Sequence, residues 1–212
     1  MAYVLGFFAA DGYITVNKRG GQFWCIQITD QGLLHAIRKN LCSNHKISVR
    51  RHMRKEKKTQ YRLQIGSIEM CDDLRELGFR ERKTASLSVP NVPPKYFADF
   101  VRGYFDGDGN VWVGLLHKKS KNPNLGLKTM FTSCSIKFLR HLHQGLYSHG
   151  LVGGSIYVSK RNYSRLQFSS QDSLKLFDFM YNHISNSKSE LQLLRKKRIF
   201  EGYIKLKNAA VV

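Results

Sequence analysis

The sequence predicts an α+β protein built from two consecutive repeats, each with the element order αββαββα. The prediction depends on a ten-residue segment that occurs twice, a shorter segment that also occurs twice, and alternating apolar and polar residues between them. A chain of 212 residues is long enough for two small domains. We therefore predict a first repeat at 1–86, a proline-rich linker at 87–97 and a second repeat at 98–212.

The first pair of matching segments is a motif that begins with an aromatic residue and ends in Asp-Gly. Tyr3–Gly12 reads YVLGFFAADG and Phe100–Gly109 reads FVRGYFDGDG, with a glycine at the fourth position of each. Downstream, RLQIGS begins at Arg62 and RLQFSS begins at Arg165. Matches that keep the same order along the chain indicate a repeated unit.

Within each repeat, the hydrophobic period predicts the elements in order. After the first motif helix we expect strands near 13–18 and 22–30, a helix at 32–41, strands near 46–54 and 60–66, and a helix near 68–77. After the second motif helix we expect strands near 110–117 and 127–133, a helix at 135–147, strands near 154–160 and 164–170, a helix near 172–183 and a basic helical tail at 188–206. Thr29 and Thr132 both close the second strand, and their spacing predicts one longer hairpin loop in the second repeat.

The strands alternate between an apolar side and a polar side. Leu63 and Ile65, for example, oppose Arg62 and Gln64. This period predicts a sheet with one buried face and one solvated face. The solvated face is rich in Arg, Lys, Gln and Ser, which are side chains that contact phosphates and base edges.

The charge of the chain indicates a polyanionic partner. There are 35 Lys and Arg against 15 Asp and Glu, a net charge of +20. Much of this charge lies on strands rather than on an amphipathic helix, which favours nucleic acid over a membrane surface. Any half-exposed sheet carries polar residues outside, but two such sheets in so basic a chain favour contact with double-stranded DNA. The candidate DNA-contacting residues are Gln27, Arg50, Arg54, Arg62, Gln64, Arg165 and Gln167.

The remaining composition narrows the class of protein. No apolar run is long enough to span a bilayer, and no signal region begins the sequence. We therefore expect an intracellular protein, in a prokaryotic cytoplasm or an organelle matrix, with no membrane partner. The four cysteines lack the close spacing of a zinc site, and their apolar surroundings predict buried free thiols.

The small residues of the motif predict close contact between two helices. Gly6 and Ala10 lie four positions apart in the first copy, and Gly103 and Gly107 match them in the second. Residues at this spacing share one helix face. If the two motif helices pack through these faces, their C-terminal ends lie side by side.

That packing would bring together Asp11 and Asp108, the aspartates that end the two motifs. Two adjacent carboxylates are costly unless a shared proton or a divalent metal neutralises them. Carboxylates, carbonyls, water and phosphate oxygens are hard ligands that suit Mg²⁺. A single Asp-Gly usually only ends a helix in a turn, but two copies with matched small residues favour a site.

Both segments resemble the LAGLIDADG motif, and the chain resembles a single-chain, two-repeat LAGLIDADG homing endonuclease. The resemblance implies a monomer with two saddle-shaped antiparallel sheets and the motif helices at its centre. It also implies cleavage of both DNA strands with short 3′ overhangs, with Mg²⁺ bound by Asp11 and Asp108. The main-chain carbonyls of Ala10 and Gly107 would assist, and Mn²⁺ or Ca²⁺ would substitute for binding.

The resemblance implies two further kinds of site residue. A basic residue late in each repeat is expected near the active site, which we place at Lys83 and Lys196, with Lys197 as the alternative to Lys196. Ordinary phosphate contact is an equal alternative for these lysines. A polar residue after the second strand often orders water, and Asp30 and Ser133 take those places, where many members have Gln or Asn.

Two other functions compete with the nuclease. A LAGLIDADG protein can serve as an RNA-splicing maturase or a DNA-binding regulator, usually with loss of an acidic motif residue. Both acidic residues are present here, which favours the nuclease. A basic architectural protein would have no use for two helix-end aspartates.

Overall fold

A computed structural model describes residues 1–51, 58–81, 87–117, 124–182 and 190–209. The elements of the first repeat are α1 Ala2–Asp11, β1 Gly12–Val16, β2 Gln22–Ile28, α2 Gln31–Asn40, β3 Ile47–Arg50, β4 Gln60–Gly66 and α3 Ile68–Glu76. Those of the second repeat are α4 Pro94–Asp108, β5 Gly109–Leu116, β6 Asn124–Ser133, α5 Ile136–Ser148, β7 Ser155–Val158, β8 Ser164–Phe168 and α6 Ser170–Tyr181. A last helix, α7, spans Leu194–Ala209.

The predicted αββαββα order is confirmed in both repeats. Each repeat forms a four-stranded antiparallel sheet, with strand order β1-β2-β4-β3 in the first and β5-β6-β8-β7 in the second. The outer strand β7 covers 155–158 and is shorter than the predicted 154–160. Identical strand orders in two sequence-related halves agree with the prediction of a repeated unit.

The chain divides into two compact units at a different place from the predicted linker. Unit 1 consists of 1–107 with 188–192, and unit 2 consists of 108–187 with 193–212. The second motif helix α4, although part of the second repeat in sequence, therefore belongs to unit 1 by its contacts. It begins at Pro94, within the predicted linker 87–97, because proline suits the first helical position, where its missing N–H costs nothing.

Helices cover one face of each sheet and build a separate core in each unit. In unit 1 the ring of Phe8 stacks on Trp24 at 5.5 Å and meets the edge of Phe79 at 5.4 Å. In unit 2 the rings of Phe131 and Phe168 meet edge to face at 6.2 Å. The polar side chains of the strands lie on the opposite face of each sheet.

The cysteine prediction is only half right. Cys25 and Cys71 are buried, but Cys42 and Cys134 are exposed, and all four are free thiols. Cys42 follows α2 with a positive φ of 49°, and Cys134 lies between β6 and α5, so neither lies in an element that the core covers. In the described ranges, no helix has the length and apolarity that crossing a membrane requires.

Candidate functional site

Each motif joins a helix directly to a strand. Gly12 has an extended backbone, with φ −84° and ψ 159°, and begins β1, and Gly109 begins β5 in the same way. A side chain at Gly12 would collide with the ring of Phe8. The glycine is therefore required by space rather than by a turn, and the interpretation of Asp-Gly as a simple turn is wrong. Asp11 and Asp108 are both exposed, as the last residue of α1 and of α4.

The motif helices α1 and α4 touch through their glycines. A Cβ atom on Gly6 would overlap the carbonyl oxygen of Phe100 and lie 2.9 Å from its carbonyl carbon. A Cβ atom on Gly103 would overlap the carbonyl oxygen of Tyr3 and lie 2.8 Å from the backbone nitrogen of Phe7. The contact is reciprocal and backbone to backbone, as the spacing of small residues predicts.

The same contact continues to the C-terminal end of α1. A Cβ atom on Gly107 would overlap that of Ala10 and lie 3.2 Å from Oδ2 of Asp11. The Asp11 carboxylate therefore lies against the residue that precedes Asp108 in the chain. A methyl group at Gly107 would collide with the Ala10 side chain and press against that carboxylate.

A buried polar cluster that the sequence analysis missed supports this helix pair. The Tyr3 hydroxyl donates to Oδ2 of Asp106 at 2.7 Å, although 103 residues separate them. Arg102 is 2% exposed, pairs with Asp99 at 2.6 Å and lies 5.3 Å from the Tyr3 ring centroid. A charged residue on an otherwise apolar motif face was the available sequence signal for Arg102.

The two candidate lysines of α7 have different surroundings. Lys196 is 5% exposed, and its Nζ donates to the main-chain oxygen of Gly109 at 2.6 Å. Lys197 instead lies 3.7 Å from the Glu201 carboxylate and 5.7 Å from the Tyr181 ring centroid. Of these two lysines, Lys196 is therefore the one whose ammonium group contacts Gly109, the residue after Asp108. Lys83 lies outside the described residues.

In unit 1, the predicted DNA-contacting residues of the sheet share its polar face. Arg62 is paired with Gln27 across β2 and β4, and Arg50 is paired with Gln60 across β3 and β4. The Gln27 side-chain amide donates a hydrogen bond to the Gln60 side chain at 2.7 Å. This bond connects the Gln27–Arg62 pair to the adjacent Arg50–Gln60 pair. Gln64 lies on the same face, and Arg54 lies outside the described residues.

Two residues outside that set, Tyr13 and Cys25, complete this face. They pair with each other across β1 and β2. Burial raises the pKa of the Tyr13 phenol, and the neighbouring Cys25 raises it further, while the Arg62 guanidinium acts in the opposite sense. Burial likewise raises the pKa of the Cys25 thiol, so both groups keep their protons at neutral pH.

In unit 2, the polar face presents Arg165 and Gln167 together with an exposed tryptophan. Arg165 is exposed and lies 5.1 Å from the ring centroid of Tyr163. Lys128 lies 5.9 Å from the ring centroid of Trp112, its partner across β5 and β6. Aromatic and cationic groups side by side suit contact with nucleotides.

Strand register aligns the two repeats differently from their sequence offset. Gly12 pairs with Ile26 in the first sheet, and Gly109 pairs with Phe131 in the second. Ile26 and Phe131 are therefore equivalent. Thr29 and Thr132, by contrast, are not equivalent. The longer hairpin of the second repeat moves its second strand two residues further along the chain than the spacing of the two threonines indicates.

This alignment changes one of the predicted water-ordering positions. Asp30 corresponds to Ser135 rather than to Ser133, which is the last residue of β6 and does not follow the strand. Asp30 and Ser135 have the same local role as helix N-caps, accepting from the backbone nitrogens of Leu33 at 2.9 Å and Phe138 at 3.2 Å. Capping oxygens are common at this position.

The comparisons with known proteins agree with this architecture. Residues 1–77 match the family model of the LAGLIDADG-like domain. A probable translation initiation factor IF-2 of Thermococcus kodakarensis is 32% identical over 160 residues, which is 71% of this chain. The chain spans only 13% of the length of that curated relative.

Solved structures extend the similarity over the whole chain. The LAGLIDADG meganuclease I-AabMI, bound to uncleaved DNA, superimposes with a TM-score of 0.65 and 17% identity, over 98% of this chain and 91% of its own. I-DmoI, in complex with DNA and Mn, gives a TM-score of 0.57 and 16% identity over 84% of this chain and 94% of its own. Residues 1–77 are therefore similar to a LAGLIDADG-like domain, and the chain as a whole has the fold of the solved LAGLIDADG meganucleases.

Proposed function

We propose that the protein is a site-specific homing endonuclease that binds a long double-stranded DNA site and hydrolyses one phosphodiester on each strand, leaving short 3′ overhangs. The observation that carries the proposal is the pair of motif helices in backbone contact through Gly6 and Gly103, each ending in an exposed aspartate. The matching fold of DNA-bound meganucleases supports it.

Asp11 and Asp108 are the proposed metal-binding carboxylates, with the carbonyls of Ala10 and Gly107 beside them. The partial negative charge at a helix C-terminus favours a cation there. Among the described residues, no three His, Cys, Asp or Glu side chains cluster as metal ligands. Two carboxylates would fill only part of a metal's coordination sphere and leave the other positions to water and phosphate oxygens. This arrangement suits Mg²⁺, which gives up its bound water reluctantly.

Mg²⁺ is the proposed cofactor, and Mn²⁺ or Ca²⁺ is expected to support binding in its place. The Mn complex of I-DmoI supports a divalent ion without deciding which one. When bound, such an ion activates water and stabilises the leaving oxygen. The Asp11 and Asp108 carboxylates would hold the ion at the ends of the motif helices, and the Lys196 ammonium would stabilise negative charge that develops on the phosphate.

Lys83 is the proposed counterpart of Lys196 in the first repeat. We keep Asp30 as a proposed water-ordering residue, and the strand register makes Ser135 its counterpart in place of Ser133.

The polar faces of the two sheets are the proposed DNA surface. The residues proposed to contact DNA are Gln27, Arg50, Arg54, Arg62, Gln64, Arg165 and Gln167. A chain of net charge +20 that neutralises several phosphates releases counterions, so affinity falls steeply with salt. We propose that one chain, acting as a monomer, contacts the whole site.

Cleavage of a randomised duplex library, supplemented with the DNA that flanks the gene, tests this function. The protein is incubated with Mg²⁺ or with EDTA, and the cut ends are sequenced. We expect metal-dependent cuts with uniform 3′ overhangs within one long motif. Asp11→Asn and Asp108→Asn are expected to abolish double-strand cutting and keep binding, whereas the matched control Asp73→Asn, at an exposed helical carboxylate, should cut normally.

Two results would contradict the proposal. Full double-strand cutting by Asp11→Asn or Asp108→Asn would exclude the paired aspartates as the site. Salt-sensitive binding without any cutting would instead identify a DNA-binding or maturase function.

A further inference from the structure

The hairpin formed by β5 and β6 extends further than its counterpart in the first repeat. Eight residue pairs join β5 to β6, whereas five join β1 to β2. By register, the last pair of the shorter hairpin is equivalent to Val113 with Leu127. The next pair on the polar face is Gly114 with Gly126, for which the described residues of the first sheet have no counterpart.

These two glycines leave a shallow space on the sheet, and two apolar side chains lie in it. A Cβ atom on Gly114 would overlap Cζ2 of Trp112 and lie 2.9 Å from its Cη2. A Cβ atom on Gly126 would overlap Cγ of Leu116. The indole therefore lies along β5 over Gly114, in the place that a side chain there would take. Glycine inside a strand often marks a place where a ligand approaches closely.

Trp112 lies on the face that carries the predicted DNA-contacting residues of unit 2. It is paired with Lys128, whose Nζ is 5.9 Å from the ring centroid. Met130 pairs with Gln167, and residues two apart in a strand share a face, so Lys128 and Gln167 lie on the same side. Trp112 is 37% exposed, which leaves part of its ring open to a partner.

We propose that Trp112, positioned by Gly114, recognises one thymine of the DNA site through its C5-methyl group. The inference rests on the proposed DNA binding. Thymine presents this methyl group in the major groove, where apolar side chains contact it, whereas the other bases offer hydrogen-bonding groups there. Lys128 places a positive charge beside the indole, so the same pair of residues can also contact a phosphate.

The position of the ring favours this contact over insertion between bases. Side chains that unstack DNA project as apolar wedges into a base step. The Trp112 ring instead lies along its own strand over Gly114 and so offers a surface rather than a wedge. A methyl group at the edge of a base fits such a surface without any unstacking of the duplex.

Removal of a single methyl group from the DNA tests the inference. The binding site is first selected from a randomised duplex library with Ca²⁺, which is expected to support binding without cutting. Each thymine of the selected site is then replaced in turn by deoxyuridine, which lacks only the C5-methyl group. For the wild type, one replacement should weaken binding by about 3- to 5-fold, the effect of one buried methyl group.

Variants of the protein assign that effect to Trp112. Trp112→Ala should bind the thymine and deoxyuridine duplexes equally at that position, because the surface that the methyl group contacts is gone. Gly114→Ala keeps the tryptophan but displaces its ring, and should reduce the same difference even if Trp112→Ala folds poorly. Tyr147→Ala is the matched control, since Tyr147 is 61% exposed on helix α5 and its loss should leave the full difference. Melting temperatures monitor folding.

Tryptophan fluorescence gives a second readout that needs no substitution. The chain has two tryptophans, and Trp24 is only 3% exposed, so acrylamide quenches mainly Trp112. The selected duplex should reduce that quenching. Quenching that DNA leaves unchanged would exclude contact with the indole.

The outcomes distinguish this inference from the function beneath it. If the wild type selects no motif, the proposed site-specific recognition fails and the inference fails with it. If it selects a motif and every deoxyuridine duplex binds as tightly as the thymine duplex, only the inference is overturned. If Trp112→Ala or Gly114→Ala keeps the full difference, another residue recognises the methyl group and the role of Trp112 is excluded.

Discussion

The ammonium nitrogen of Lys196 lies 2.6 Å from the main-chain oxygen of Gly109, the residue that follows Asp108. The lysine is buried at 5% exposure on α7, a helix that packs on β5. A buried ammonium needs a partner, and here that partner lies at the end of the second motif. Helix α7 therefore places a positive charge beside Gly109, where α4 ends and β5 begins.

Replacing that charge should slow cutting without weakening DNA binding. Lys196→Met keeps the length of the side chain but loses the ammonium, and removing one such electrostatic group slows turnover by about 100-fold or more. Single-turnover cleavage and equilibrium binding measure the two effects. Lys197→Met is the control, because Lys197 contacts Glu201 and Tyr181 instead. If Lys197→Met cut DNA slowly and Lys196→Met cut it at the wild-type rate, Lys197 would be the lysine that assists cleavage.

The glycine contact between α1 and α4 should tolerate no side chain. Gly103→Ala places a methyl group on the Tyr3 carbonyl, and the forced separation of the helices should cost about 1–3 kcal/mol in free energy of unfolding. Gly202→Ala is the matched control, since Gly202 lies in α7 with open space around it and should gain about 0.5–1 kcal/mol. Urea denaturation compares them, and equal stability of the two variants would contradict the close contact.

The equivalence of Asp30 and Ser135 can be tested by removing each cap. Asp30→Ala and Ser135→Ala should each lower the free energy of unfolding by about 1 kcal/mol, because the first turn of α2 or α5 loses an acceptor. Asp30→Asn should keep the cap and the stability. Slower cutting by Asp30→Asn at unchanged stability would indicate the water-ordering role, and unchanged stability of Asp30→Ala would contradict the cap.

Acid should weaken one surface contact of unit 1. Hydrogen bonds from Arg75 hold the pKa of the Glu81 carboxyl below its ordinary value of 4.5. The folded pKa is therefore the lower one, so this contribution is fully present above the unfolded pKa and is lost as pH falls through the folded value.

Glu81→Gln should remove that part of the pH dependence. Glu81 is 42% exposed, so the effect should be about 0.5 kcal/mol at neutral pH and vanish in acid. Melting curves between neutral pH and about pH 3 measure it. Glu76→Gln, at an exposed carboxylate of α3, is the control, and equal acid profiles of the wild type and Glu81→Gln would exclude the contact.

The sequence predicted the features that depend on local pattern. The order of elements followed from hydrophobic period, and the contact through Gly6 and Gly103 followed from small residues at matched positions. Features set by tertiary structure were missed. The hydrogen bond of Tyr3 to Asp106 joins residues 103 positions apart, and nothing local marks it. The match of Asp30 to Ser133 failed because a loop insertion hid the strand register, which pairs Asp30 with Ser135.

The reciprocal glycine contact also limits how the sequence can drift. The atoms that face Gly6 and Gly103 are main-chain oxygens of Phe100 and Tyr3, which remain in place whichever side chains those positions carry. A larger residue at either glycine therefore cannot be compensated by trimming its neighbour. In a suppressor selection, we expect reversion to glycine and no rescuing changes at positions 3 or 100.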